Sequence, residues 1–134
     1  MISFTLGEIA GITGGRYSGP KELLDRRIQD ATIDSRTVQS GCLFVPIVGE
    51  RFDGHDFIPQ AIDKGAIAVL AENGKSYTCP VIYVDSTIKA LLAMAKAYRA
   101  IFDIPVVGIT GSTGKTTTKE LVANVLSQKF DTLK

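Results

Sequence analysis

The chain has 134 residues, 45% hydrophobic and 22% charged, the profile of a globular chain of one domain, or one domain with a further piece, not a disordered one. Its 15 Lys and Arg against 14 Asp and Glu leave a net charge of +1, which indicates neither a nucleic-acid patch nor a polybasic membrane anchor. Cys42 and Cys79 lack CxxC spacing, which argues against a zinc site or disulfide framework, and no apolar run is long enough for membrane insertion. The opening Met1-Ile2-Ser3-Phe4-Thr5 has no basic segment ahead of an apolar one, so no signal peptide is expected and the default location is cytoplasmic.

Thr5-Leu6-Gly7-Glu8 predicts a capping box, and the helix it starts should end in the glycines at 11, 14 and 15. Residues 28–36, a mixed stretch containing Thr32-Ile33-Asp34-Ser35-Arg36, read as a strand running into a loop. Residues 41–48 form a near-continuous apolar run, typical of a buried strand that should be irregular or at an edge at Pro46. After a polar loop at 49–55, residues 57–64 predict a short helix stopped by Gly65, with Phe57, Ala61 and Ile62 inward. Two further strands, 66–70 and 81–84, flank a turn at Asn73-Gly74. Residues 86–102 are the clearest helix. Ser86 or Asp85 caps it, and Ile88, Leu91, Leu92, Ala95, Arg99 and Phe102 form a stripe expected to be mostly core. Pro105 biases Ile104 away from the helical region, which puts a domain boundary there: 1–103, then 104–134. A strand at 106–109, a Gly-rich loop and a helix over about 115–130 complete the chain.

That loop carries the strongest chemical signal. Gly108-Ile109-Thr110-Gly111-Ser112-Thr113-Gly114-Lys115-Thr116-Thr117 stands between an apolar strand and an amphipathic helix, as a phosphate-binding loop requires. Gly111 and Gly114 let the chain turn tightly, so successive amide N–H groups point into one concavity. The helix N-terminus adds roughly half a positive charge, which favours an anionic phosphate. Lys115 would bring an ammonium to the β- and γ-phosphates of a nucleoside triphosphate, and the Thr116 hydroxyl is placed to ligate Mg²⁺. Ile109 stands where the general pattern has Gly, so only Gly-Lys-Thr is strict. The plainer alternative is a Gly-rich strand-to-helix turn with a solvated lysine.

The segment 110–117 resembles the phosphate loop of the Mur ligases, the ATP-dependent amide-bond ligases of peptidoglycan precursor synthesis. That family's loop lacks the leading Gly, which accounts for Ile109. A second block is similar to the family's N-terminal domain: Asp34-Ser35-Arg36, Gly41-Cys42-Leu43-Phe44-Val45, Gly49, Asp53-Gly54-His55, Phe57-Ile58, Ala61 and Gly65-Ala66. Ser112-Thr113 and Thr116-Thr117-Thr118-Lys119-Glu120 look most like the member that adds D-alanyl-D-alanine to UDP-N-acetylmuramoyl tripeptide. The member that adds the third peptide residue usually carries Thr-Asn at the place of Ser112-Thr113 and stays as an alternative. So does a non-catalytic UDP-precursor-binding module. Folylpolyglutamate synthase normally reads Gly-Lys-Gly-Ser in its loop, and Thr116-Thr117 argues against it.

The resemblance implies an α/β fold, with a small N-terminal α/β domain followed by the first strand, P-loop and helix of a Mur-type ATPase domain. It implies a ligase working through an acyl phosphate, with ATP and Mg²⁺ as cofactors and UDP-N-acetylmuramoyl-peptide and D-alanyl-D-alanine as partners. Gly111, Ser112, Thr113, Gly114, Lys115, Thr116 and Thr117 would hold ATP, with Lys115 the catalytic cation and Thr116 the metal ligand. Ser35, Arg36, Glu50, Arg51 and Phe52 would contact the uridine and diphosphate. Ser35 is equally readable as a turn residue beside Asp34, and Arg36 as that acid's ion-pair partner. Arg51 and Phe52 lie in a loop, where binding residues concentrate and where solvated charge is ordinary. His55, the only histidine, reads more simply as a loop residue bonded to backbone than as a catalyst. Lys89, Lys96 and Arg99 read as a wet helix face. The acid after a second strand and the remaining metal ligands of the family have no counterpart here, so the chain alone is expected to be inactive. Its lone strand–helix unit should dock, self-associate or be poorly ordered.

Overall fold

A computed structural model describes residues 4–134. The chain divides into two compact units, Met1–Phe102 and Asp103–Lys134. The first holds a five-stranded sheet. Its strands are β1 (Arg16–Ser18), β2 (Ala31–Thr32), β3 (Leu43–Phe44), β4 (Ala68–Glu72) and β5 (Val81–Val84), in the order β1-β5-β4-β3-β2. β2 to β5 run parallel, and β1 adds an antiparallel edge. α1 (Leu6–Thr13) and α3 (Thr87–Ala100) serve one face, and α2 (Ile58–Asp63) the other.

Period-two alternation explains the apolar runs. Leu43, Val45, Ala68, Leu70, Ile82 and Val84 enter one core with Leu6, Ile9, Ala90 and Met94. Phe44, Val69, Ala71, Val81 and Tyr83 enter a second with Ile58, Ala61, Val38 and Cys42. A parallel sheet buried on both faces requires continuous apolar strands, and β3 to β5 have them. Both cysteines are free; Cys79 packs against the second core, and burial raises its thiol pKa.

The capping box forms as expected: Glu8 N–H donates to Thr5 Oγ1 at 3.1 Å and Thr5 N–H to Glu8 Oε2 at 2.7 Å. α1 runs through Gly11 and stops at Gly14, whose φ of 64° is left-handed. β1 was not expected; three residues are too few to show periodicity. Pro46 interrupts an interior strand, not an edge: β3 pairs on both sides, and its paired register ends before the proline. β4 begins two residues later than expected because the Ala66 N–H is taken by Ala61 O at the end of α2. Residues 73–80 join two parallel strands without a helix, and Tyr77 and Cys79 lay that crossover on the second core.

Two helix faces differ from their sequence reading. Phe57 is exposed, and Ile58 takes the inward place beside Ala61. In α3, capped by Ser86 as expected, the buried stripe is Thr87, Ala90 and Met94, while Ile88 and Leu92 are exposed. Small residues at 87 and 90 let the helix approach α1 and β4 closely, and the Thr87 N–H reaches Glu72 Oε1 at 3.1 Å. That fixes the rotation of the helix one position away from its larger side chains.

In the second unit, α4 (Lys115–Leu126) ends earlier than expected, and Ser127 and Lys129 continue as turns. Residues 106–109 belong to no strand, and Val106 and Val107 are exposed. An apolar stretch becomes a strand only when a neighbour takes its N–H and C=O groups. Among the described residues of this unit there is no second strand.

Candidate functional site

A cleft of about 630 Å³ opens in the first unit beyond the C-terminal ends of β2 and β3, where open parallel sheets place their ligands. Ser35, Arg36, Phe52, Phe57, Ile47 and Gln60 are among its lining residues. The β2 side is held by a tight polar turn. Asp34 N–H donates to Thr32 Oγ1 at 3.2 Å, Arg36 N–H to Asp34 Oδ1 at 2.9 Å, and Thr37 N–H to Asp34 O at 3.1 Å. The Arg36 guanidinium grips the Asp34 carboxylate through Nε and Nη2, at 2.9 and 2.7 Å. That grip holds the Asp34 carboxyl down at about 2. Arg36 therefore meets its ion-pair reading and still faces the cleft, its side chain 83% exposed.

Ser35 is buried, and its Oγ–H donates to Gln60 Oε1 at 2.8 Å. Sequence reasoning missed Gln60. The usable signal was its place in the first turn of a helix that follows a parallel strand, with Pro59 beside it where no helical N–H is needed.

The β3 side returns through an antiparallel bridge, Val48 to Asp53, closed by Gly49 N–H to Phe52 O at 2.9 Å. Phe52 lies on the cleft lining; Glu50 and Arg51 fall at the hairpin tip and are exposed, outside it. Gly54 makes this return possible. A Cβ there would stand 2.6 Å from Ile47 N and 2.7 Å from Ile47 O, so only glycine lets the two backbones touch.

His55 is buried and braces the same corner. Glu72 N–H donates to its Nε2 at 3.0 Å, so that nitrogen carries a lone pair and the proton sits on Nδ1, 2.6 Å from Asp53 Oδ1. The His55 backbone N–H is the main influence lowering the Asp53 pKa. The ring ties the hairpin to the end of β4 and does not line the cleft.

The glycine-rich loop of the second unit is built from its helix end. Gly114 is the N-cap of α4 with φ 73°, a left-handed conformation suited to glycine, and no side chain caps the helix. The first intrahelical bond is Thr118 N–H to Gly114 O at 2.9 Å, so the amides of Lys115, Thr116 and Thr117 lie ahead of any intrahelical acceptor. The Lys115 ammonium donates to the Gly111 carbonyl, folded over the loop. Residues 110–118 are exposed. Open amides, a helix dipole and a mobile cation in one place suit a polyphosphate. Among the described residues no group of three His, Cys, Asp or Glu is placed to hold a metal. The exposed Thr116 hydroxyl fits Mg²⁺ in the manner of nucleotide sites, where phosphates and waters supply the other ligands. No helix among the described residues is long and apolar enough to cross a membrane.

A family model described as Mur ligase family, catalytic domain, matches residues 27–107. The UDP-N-acetylmuramoyl-tripeptide–D-alanyl-D-alanine ligase of Synechocystis sp. is 49% identical over 107 residues, 78% of this chain and 24% of that protein. The solved structure of UDP-N-acetylmuramoylalanyl-D-glutamyl-2,6-diaminopimelate–D-alanyl-D-alanyl ligase from Acinetobacter baumannii superposes with a TM-score of 0.83 at 29% identity, covering 96% of this chain and 29% of that one. MurF ligase from Thermotoga maritima, solved in complex with ADP, gives 0.68 at 41% identity over 75% of this chain and 23% of that one. The chain spans about a quarter of the length of these relatives.

Proposed function

The chain belongs to the Mur ligase family, and we propose that it supplies the precursor-holding and phosphate-gripping parts of an ATP-dependent ligase that joins D-alanyl-D-alanine to UDP-N-acetylmuramoyl tripeptide. Residues 1–103 serve the UDP end of the precursor, and residues 104–134 open the ATP-binding domain. The observation that carries this reading is the uncapped N-terminus of α4, with the Lys115 ammonium over its loop. The ligase names on the compared relatives favour it over the third-residue ligase and the non-catalytic module. Because the reaction consumes ATP, the reading includes a cytoplasmic location.

In this proposal the loop amides of Gly111 to Thr117 and the Lys115 ammonium take up negative charge on the β- and γ-phosphates. That is positioning and electrostatic stabilisation, worth most as charge shifts toward the transferring group. The γ-phosphoryl passes to the peptide's terminal carboxylate, giving an acyl phosphate and ADP; the amine of D-alanyl-D-alanine then forms the amide and releases phosphate. Mg²⁺, when bound, would neutralise phosphate charge, and Thr116 is the residue to hold it. Ser35, Arg36 and Phe52 contact the uridine diphosphate, Arg36 offering guanidinium N–H groups to a phosphate. Glu50 and Arg51, at the hairpin tip, reach it only as an outer rim.

Calorimetric titration with Mg-ATP and with UDP-N-acetylmuramoyl tripeptide tests both halves. Lys115→Ala should weaken the Mg-ATP response by at least about tenfold, the scale of a lost charged hydrogen bond, and leave the precursor response unchanged. An Mg-ATP affinity that survives Lys115→Ala would count against the loop's role, and a wild-type chain indifferent to the precursor would count against the cleft's.

A further inference from the structure

His55 is the only histidine of the chain, and histidine is the side chain whose ordinary charge change falls between about pH 8 and pH 5.5. Its buried ring joins the hairpin to β4. Nδ1–H donates to Asp53 Oδ1 at 2.6 Å, the same oxygen that accepts the His55 backbone N–H at 2.9 Å. On the far side Nε2 accepts the Glu72 N–H at 3.0 Å. Glu72 Oε1 in turn accepts the Thr87 N–H at the start of α3. The bonds from Gly49 N–H to Phe52 O, 2.9 Å, and from Gly54 N–H to Ile47 O, 3.0 Å, are internal to the hairpin. The hydrogen bond that carries it across to β4 is the ring's.

The two ring nitrogens answer a second proton differently. An imidazolium donates at both. Nδ1–H keeps the Asp53 carboxylate, now as an ion pair, but a proton on Nε2 stands against the Glu72 N–H, donor to donor. The charged groups nearby preserve that asymmetry. Asp53 and Asp56 lie on the ring's own segment, and Lys75 of the 73–80 crossover is 4.0 Å from Asp53 Oδ2. Tyr77 of the crossover lies in the field of both acids, and the Glu72 carboxylate is engaged by Thr87. A carboxylate therefore meets the ring at Nδ1 and a backbone donor meets it at Nε2.

We propose that His55 is a positioning residue for the cleft: its neutral ring latches the hairpin that carries Phe52 to β4, and a second proton releases the latch and weakens ligand binding. The ligand half rests on the reading of the cleft as a uridine diphosphate site; the latch itself does not. Two substitutions separate the ring's two contacts. Glutamine carries an amide oxygen about as far out as Nε2, so His55→Gln can accept the Glu72 N–H and takes up no proton. Asparagine reaches only as far as Nδ1, so His55→Asn keeps a donor for Asp53 and leaves the Glu72 N–H without its acceptor.

The test is amide hydrogen exchange of the 134-residue chain, read by NMR as protection relative to the intrinsic rate at each pH. It is paired with titration by uridine, which has no phosphate to change charge. In the wild type, lowering the pH from about 8 to 5.5 should cut the protection of the Glu72 amide by about tenfold, the scale of one lost hydrogen bond, while Leu70 and Ile82 keep theirs. Uridine affinity should fall over the same range by about threefold or more, because only molecules with the wall in place bind. His55→Gln should hold both readouts flat, and His55→Asn should give the released values at either pH. Glu72 protection that is indifferent to pH in the wild type, or that falls equally in His55→Gln, would overturn the latch. Opening at Glu72 with unchanged uridine affinity would overturn the positioning role. A wild type that binds no uridine at either pH would overturn the cleft reading and the ligand half with it, while exchange at Glu72 still decides the latch. The wild-type and His55→Gln arms carry the decision even where His55→Asn does not fold.

Discussion

Residues 81–84 and residues 106–109 are similar in composition, each a short run rich in β-branched side chains, with Gly108 interrupting the second. The first is β5, with Val81 and Ile82 fully buried; the second is unpaired, with Val106 67% and Val107 64% exposed. β5 has a parallel neighbour on one side and an antiparallel one on the other, so its backbone groups are used and both its faces are covered. The 106–109 stretch, apart from Gly108, has a similar intrinsic preference, and it has no neighbouring strand in its unit. Strand formation is thus a property of the pair, and the free energy lies in the cross-strand and face-to-face contacts.

The largest expected effect comes from cutting each run by a similar amount. Ile82→Ala should lower the unfolding free energy of the first unit by about 2–5 kcal/mol in urea titration, through lost burial and a residual cavity. Val107→Ala should change stability by less than about 0.5 kcal/mol, as for other exposed positions. Comparable losses in the two would show that the 106–109 stretch is packed, and would break the comparison.

Gly54→Ala probes the close backbone contact that the second unit lacks. Its Cβ would press on Ile47, and forced overpacking of this kind costs about 1–3 kcal/mol, with loss of UDP affinity because the cleft wall is displaced. A variant with wild-type melting temperature and UDP affinity would mean that the contact relaxes freely.

The smallest effect is a pH dependence at Asp34. Its folded carboxyl lies near 2 against an ordinary 3.8, held there mainly by the Arg36 side chain. A depressed folded pKa stabilises the native state above the ordinary value, and that contribution is lost as pH falls from about 4 through 2. Asp34→Asn should therefore flatten the fall in urea midpoint between pH 5 and pH 2.5. Because the pair is exposed, the change should be slight. Identical acid profiles for wild type and variant would remove Asp34 from the account.

What could be read directly was local. The Thr5–Glu8 capping box and the Ser86 cap each depend on residues within one turn, so spacing alone reveals them. The glycine-rich loop before α4 is equally local, because one glycine pattern, one lysine and one helix start define it. Other features needed partners distant in sequence. Ser35 and Gln60 are 25 residues apart with β3 between them, and neither is distinctive until the Oγ to Oε1 bond joins them. The family resemblance assigns Glu50, Arg51 and Phe52 together to the uridine diphosphate, but of the three only Phe52 lines the cleft beside the Val48–Asp53 bridge.

The sequence by itself determined where helices begin, which runs are apolar enough to become buried strands, and where a glycine-rich turn runs into a helix start, because these rest on contacts within a few residues. Tertiary structure alone decided which apolar run became a strand, which face of α3 turned inward and which polar side chains met across the cleft. Those outcomes depend on partners brought together from far along the chain, and their free energies come from burial and hydrogen bonding that no local window contains.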